Sequence, residues 1–384
     1  MRMFIGLLIP SVLFFSSCST HDSLQPPKHT ILFILDGMAC GTLEKIDTPT
    51  LQQLEEAGVY YPEVHLILPA HLERNDEVND PHYYPWGCSL PNIPLMTGTI
   101  FVGMDGLKEN MVQHSFEDFP TAFIANDDAY EELRYGFNVY YRYGSEQIDQ
   151  VDYSGVIEKS KEIFTTENPR FIRIHMQGTG SAGYFDYNAG TNIWAENSLY
   201  RREIMRADSV LGYFIEWLKE TGRWDETVMI VMGDHGQNDE GWHAPYVGQA
   251  QKQPVLIVGK GIKKGRVFEY AEAIDISPTI AYINHVDQPA HSLGRVLKEI
   301  FTGESEKLEI KQNIKQLNRL LLEHHSLLSD YSSGPGNIEF EALNKEFLTI
   351  ETIGSWHQRF RTLDDLVEHE SEILLGLRDL FPEK

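Results

Sequence analysis

Two short stretches of this chain, Ile31–Leu35 and Val228–Met232, are apolar at every position. Uninterrupted runs of this length suit strands buried on both faces of a parallel sheet. Weaker runs at Thr121–Ala125, Phe171–His175 and Pro254–Val258 predict further strands. Thr48-Pro49 reads as the N-cap and first residue of a helix, with Leu51, Leu54 and Val59 near one face. Tyr200, Ile204, Ala207, Leu211, Phe214 and Leu218 keep helical spacing and predict a packed amphipathic helix. Strands separated by helical stretches predict an α/β fold built of parallel βαβ units. Residues 60–95, rich in Pro, His, Asn, Asp and Tyr, read as a long loop, which in a compact domain is usually functional. From about Glu304 the texture changes. Leu308–Leu328 is charged and leucine-rich at helical spacing, Ser332-Ser333-Gly334-Pro335-Gly336 interrupts it, and a second helical stretch runs on. No internal repeat of fixed period is present.

Both wholly apolar runs lead straight into acid. The first ends in Asp36-Gly37 and the second in Gly233-Asp234-His235-Gly236. Ligands in parallel sheets collect at the carboxyl ends of the strands. Either aspartate alone is an ordinary turn residue followed closely by glycine. Two carboxylates and an imidazole converging on one point need a positive charge between them, and a divalent metal supplies it.

Composition narrows the class. The chain has 384 residues, 42% of them hydrophobic, enough for one large domain plus an appendage. With 57 acidic against 32 basic side chains the formal charge is −25, so general nucleic-acid binding is not expected. At the N-terminus, Arg2 precedes an apolar stretch from Phe4 to Phe15, too short to span a membrane. Ser16-Ser17-Cys18 and polar residues follow. This resembles a bacterial lipoprotein signal, with Cys18 lipidated, although Phe15 departs from the usual aliphatic residue. The alternative is an ordinary secretory signal; both predict export. Cys40 and Cys88 then remain, and two cysteines do not make a disulfide framework.

A third segment, Cys88-Ser89-Leu90-Pro91-Asn92 through Thr97-Gly98, offers a hydroxyl at the start of a helix, where the peptide field favours a nucleophilic anion. By itself it is a proline-rich loop with Ser89 as a plain N-cap. Together with Asp36-Gly37, Thr48-Pro49-Thr50-Leu51, Asp234-His235-Gly236 and Asp275-Ile276-Ser277-Pro278-Thr279, its order resembles the alkaline phosphatase superfamily, in its nucleotide pyrophosphatase/phosphodiesterase and sulfatase-like branches. The similarity covers roughly residues 29–300. It implies an α/β/α sandwich with a mostly parallel central sheet; separately, the change of texture predicts a helical extension over residues 301–384, and the N-terminal pattern a signal over residues 1–18 and a polar tether over residues 19–28. The resemblance also implies a metal-activated nucleophile and a covalent intermediate. By the same resemblance Asp36, Asp234 and His235 hold the metal, Ser89 is the nucleophile and itself a metal ligand, and Asn110 binds a non-bridging oxygen. His243, eleven residues before Pro254, matches a late metal-binding histidine. Outside the resemblance, Asn110 would be a loop residue, and His243 a partly buried structural histidine about as often as a ligand.

Two departures qualify this. Counting back from Thr97-Gly98 puts Cys88 rather than Ser89 at the nucleophile position. Formylglycine conversion of that cysteine requires Pro and Arg where Leu90 and Asn92 stand, so Ser89 is preferred. The phosphodiesterase motif Asp-x-x-Gly-His reads Gly180-Ser181-Ala182-Gly183-Tyr184 here, which removes two ligands of a second metal. His175, Asp186 and His243 are the residues that would rebuild part of that position. The sequence therefore predicts one divalent metal (Zn, Mn or Ca) and an exported hydrolase of phosphate or sulfate esters. Its substrate would be a small-molecule, glycan or lipid ester, and its contact with the membrane would be through the lipid anchor. The alternatives are a degenerate surface binding protein on the same fold and a transferase of phosphoryl-linked head groups.

Overall fold

All seven residues of β1 (His29–Leu35) are buried, because the strand lies between two hydrophobic layers. Ile31, Phe33 and Leu35 enter one layer, and Leu32 and Ile34 enter the other. β6 (Thr227–Met232) divides likewise, with Met229 and Val231 on the first side and Val228, Ile230 and Met232 on the second. Apolar layers on both faces favour apolar side chains at Ile31–Leu35 and Val228–Met232, which is why these runs read as unbroken apolar sequence, while His29, Thr30 and Thr227 at the strand starts are buried with hydrogen-bond partners. The computed structural model describes residues 25–67, 92–99, 108, 110–126, 131–142, 152–243, 247–331 and 359–380.

The remaining strands are β2 (Val59–His65), β3 (Thr121–Ala125), β4 (Val139–Arg142), β5 (Phe171–Met176), β7 (Lys252–Gly259), β8 (Arg266–Val267) and β9 (Ala271–Glu272). The nine-stranded sheet runs β4-β3-β5-β1-β6-β7-β2-β8, with β9 beside β2. Strands β4 through β6 in that order are mutually parallel. β7 is antiparallel to both β6 and β2, so the sheet is mostly parallel, as expected.

The helices are α1 (Thr42–Lys45), α2 (Pro49–Ala57), α3 (Asn92–Thr97), α4 (Tyr153–Thr166), α5 (Gly178–Ala189), α6 (Leu199–Glu220), α7 (Ile276–Asn284), α8 (Gln312–Tyr331) and α9 (Leu363–Asp379). α2, α4 and α6 cover one face of the sheet, and α3 and α7 cover the other. This is an α/β/α sandwich. α8 and α9 pack on each other through a third apolar cluster that also takes in Ile67 and Ile274 of the sheet domain.

Two local expectations are corrected. The stretch read as loop from residue 60 begins as strand β2. Its period is hidden because Pro62, which lacks an N–H, sits where the register with β7 shifts between Tyr61 and Val64. Thr48 makes no side-chain capping bond to α2. Asp208 on α6 does that work from a distance, its carboxylate accepting from the N–H groups of Thr50 (3.1 Å) and Leu51 (2.8 Å).

Candidate metal centre

β1 and β6 run parallel in a register that pairs Ile34 with Met232. Two residues further along each strand, Asp36 and Asp234 come level. Ligand atoms of Asp36, Asp234 and His235 all lie within 4.8 Å of one another, and all three residues are buried. His235 Nε2 stands 3.6 Å from Asp36 Oδ1 and 3.9 Å from Asp234 Oδ1. The backbone N–H groups of Gly37 and His235 both donate to Asp234 Oδ1, at 3.2 and 3.1 Å. His235 Nδ1–H donates to the Gly236 carbonyl at 2.7 Å. That bond selects the tautomer whose Nε2 lone pair faces the two carboxylates, the usual preparation of a histidine ligand. Burial lowers the His235 pKa, but Asp234 and Asp36 outweigh it and raise the value above 6.5. A carboxylate pair with one neutral imidazole suits a divalent cation, so the donor set fits the expected metal.

Behind the carboxylates lies a network that the residue pattern hints at only through His175. Arg173 on β5 has no exposed surface. Its guanidinium donates to the Asn92 side-chain oxygen and, at 3.0 Å, to His175 Nδ1. Asn92, the first residue of α3, passes the bond on from its Nδ2 to Asp234 Oδ2 at 2.8 Å. A guanidinium can only donate. His175 Nδ1 must therefore accept, and Nε2 carries the proton, which it donates to Asp36 Oδ2 at 3.2 Å. Burial holds the His175 pKa down to about 3, against the pull of Asp234 and with Arg173 adding to the effect. His175 is thus a neutral donor to a ligand, not a ligand of a second metal. Arg173 had a readable signal: Arg and His two apart in an otherwise apolar strand share one face.

The other residues that the sequence singles out take different places. Asp186 is a helix cap, accepting from Ser198 Oγ (2.6 Å) and from the N–H groups of Leu199 and Tyr200 at the start of α6. It is not a metal ligand. His243 stacks on His235 with ring centroids 4.6 Å apart, but it is not part of the three-residue cluster. Its Nδ1 is buried without a partner among the described residues. Asn110 is buried, and its Nδ2 has no partner among the described residues. Asp275 serves the backbone, accepting from Glu272 N and Arg295 N. Cys40 is a free thiol, which burial, with Glu63 next, pushes up to about 12. Ser89, Cys88 and Cys18 lie outside the described residues.

The motif departures have a spatial cause. α5 enters directly against Asp36: Thr179 Oγ1 donates to the Asp36 carbonyl at 2.6 Å, and a β-carbon on Gly180 would meet the Asp36 carboxylate. Tyr184 points outward, 44% exposed.

A mostly parallel α/β/α sandwich with paired strand-end aspartates and an adjoining histidine defines the class: the fold is that of the alkaline phosphatase superfamily. The phosphonate monoester hydrolase of Silicibacter pomeroyi superposes with a TM-score of 0.53 at 15% identity, covering 74% of this chain and 78% of its own. A lipoteichoic acid synthase from Listeria monocytogenes gives 0.53 at 14% identity, covering 81% and 93%. Within that class, residues 96–285 match the Sulfatase family model, a span that holds Asp234 and His235 but not Asp36. An arylsulfatase of Clostridium perfringens (strain 13 / Type A) is 33% identical over 111 residues, 26% of this chain and 23% of the relative. The chain thus matches under a quarter of that relative's length.

Proposed function

We propose that the protein is a metal-dependent hydrolase of phosphate or sulfate esters. The observation that carries this reading is the convergence of Asp36, Asp234 and His235 within 4.8 Å at the carboxyl ends of adjacent strands. These three residues would hold one divalent cation. Such an ion would acidify a hydroxyl bound to it, much as metals lower the pKa of water from about 16 to about 7. The chain's own residues set the stage. Arg173 and Asn92 fix the orientation of Asp234, and His175 fixes that of Asp36. Ser89 is our nucleophile, attacking phosphorus or sulfur with loss of the alcohol, and the Asn110 amide steadies the negative oxygen that results. Gly180 beside Asp36 supports one metal rather than two.

The test is an activity panel of aryl phosphomonoester, phosphodiester and sulfate with Mn, Zn and Ca. Asp234→Ala should abolish turnover of whichever ester is accepted, and full activity in that variant ends the proposal. Product that forms only when an acceptor alcohol is supplied would mark a transferase instead. The same reading has the domain exported and tethered by a lipid on Cys18. Cys18→Ala should then move the protein out of the membrane fraction.

A further inference from the structure

A cleft of about 510 Å³ separates α8 from the sheet domain, within the range of small-molecule sites. Its floor comes from His65, Tyr270 and the segment that includes Gln251 and Lys252, and its far wall from Lys315 and Arg319 of α8. The charge of this lining runs against the whole molecule. Acidic side chains outnumber basic ones 57 to 32 along the chain, yet the described lining holds three cations and no carboxylate. Lys252 is partly spent on Glu63, at 2.7 Å. Among the described residues Lys315 and Arg319 form no ion pair, although they stand one turn apart on the same helix face, where like charges repel. An anion between them relieves that repulsion.

The cleft also has aromatic surface. Lys315 Nζ lies 4.6 Å over the Tyr270 ring, and Tyr270 packs against His65 with centroids 4.9 Å apart. Gln312 and Gln316 add carboxamides on the same helix face. Rings, amides and cations together match a sugar that carries an anionic group. Glu272, just behind, bonds to Tyr270 and Asn318. Burial, with Asp275 next, raises its pKa well above 4.5, against the pull of Lys315 and Arg295.

This cleft and the metal centre share a wall. Gly236, two residues after Asp234, donates its N–H to the Ala250 carbonyl at 3.0 Å. A β-carbon there would strike the Lys252 carbonyl. The turn that carries Asp234 and His235 therefore rests on the segment that forms the cleft floor.

We propose that this cleft is a second anion-binding subsite, assembled by α8 against the sheet domain, that takes a phosphate- or sulfate-bearing sugar unit of the substrate. The assignment of that ligand as substrate rests on the ester-hydrolase reading above. The C-terminal helices thereby acquire a role in binding, because without α8 the cationic wall is absent.

Calorimetry on the full chain tests this with glucose 6-phosphate, glucose 6-sulfate, inorganic phosphate and glucose as probes, in an Asp234→Ala background that disables the metal centre. At least one of the two charged sugars should bind, more tightly than inorganic phosphate, and glucose should not. Adding Lys315→Ala and Arg319→Ala should weaken binding by roughly tenfold or more, as expected for loss of charge-assisted hydrogen bonds. Should the combined variant fail to fold, Arg319→Glu alone must produce a loss of that size. Undiminished binding in the folded variants, or no charged sugar bound at all, overturns the subsite. Turnover of simple aryl esters, which carry no second anion, should be unchanged in Lys315→Ala/Arg319→Ala on the otherwise native chain. Charged-sugar binding in a protein that hydrolyses no ester would sustain the subsite and remove only the ester reading.

Discussion

A β-carbon built on Gly180 would overlap Oδ1 of Asp36. The position where a phosphodiesterase motif carries aspartate is here closed by Asp36, a member of the candidate metal cluster. Restoring the motif with Gly180→Asp should therefore displace Asp36 rather than create a second site. We expect metal content below one equivalent per chain and loss of activity. Elemental analysis showing two equivalents would sink this account.

Arg173 is a buried cation whose bonds end on Asn92 and His175. Arg173→Leu removes the donor that these two acceptors use and leaves Asn92 and His175 less firmly held behind the carboxylate pair. Hydrogen bonds from a buried charged group are worth about 1.5–3 kcal/mol. Urea denaturation should report a loss of that order. A change under about 1 kcal/mol would mean that the guanidinium contributes little to the fold.

The cap that Asp208 supplies to α2 is a tertiary one, holding two backbone N–H groups of a helix 157 residues away in sequence. Asp208→Ala should destabilise the protein by about 1–2 kcal/mol, the usual range for a lost helix cap. Thr48→Ala, which removes no capping bond, should cost less when the two are compared in the same denaturation series.

Asp275 gives a pH dependence with a definite sign. Burial raises its pKa from 3.8 to about 6, against the pull of Arg295. Between those values the folded state keeps a proton that the unfolded chain has released, so this group's contribution to stability falls as pH rises from about 4 to about 6. The full difference is about 3 kcal/mol. Stability curves of the native protein and Asp275→Asn should converge or cross in that direction over this window, and parallel curves would refute the assignment.

The strands that flank the candidate metal centre were legible because burial on both faces leaves one-dimensional evidence: Ile31–Leu35 and Val228–Met232 hold apolar residues at every position. α6 was legible for a related reason, since its inward stripe from Tyr200 to Leu218 is buried throughout. β2 was not, because Pro62 and the adjoining register shift break the alternation that marks a strand. The two-residue strands β8 and β9 are too short to carry any period.

Residue order alone determined which acids end which strands, and so nominated Asp36, Asp234 and His235. Tertiary structure decided the rest. It brought Asp36 level with Asp234 through strand register, made His175 a proton donor by setting Arg173 against its other nitrogen, and turned Asp186 into a cap. Ligation, donation and capping use the same side-chain atoms, and only the neighbour that arrives from a distant part of the chain selects among them.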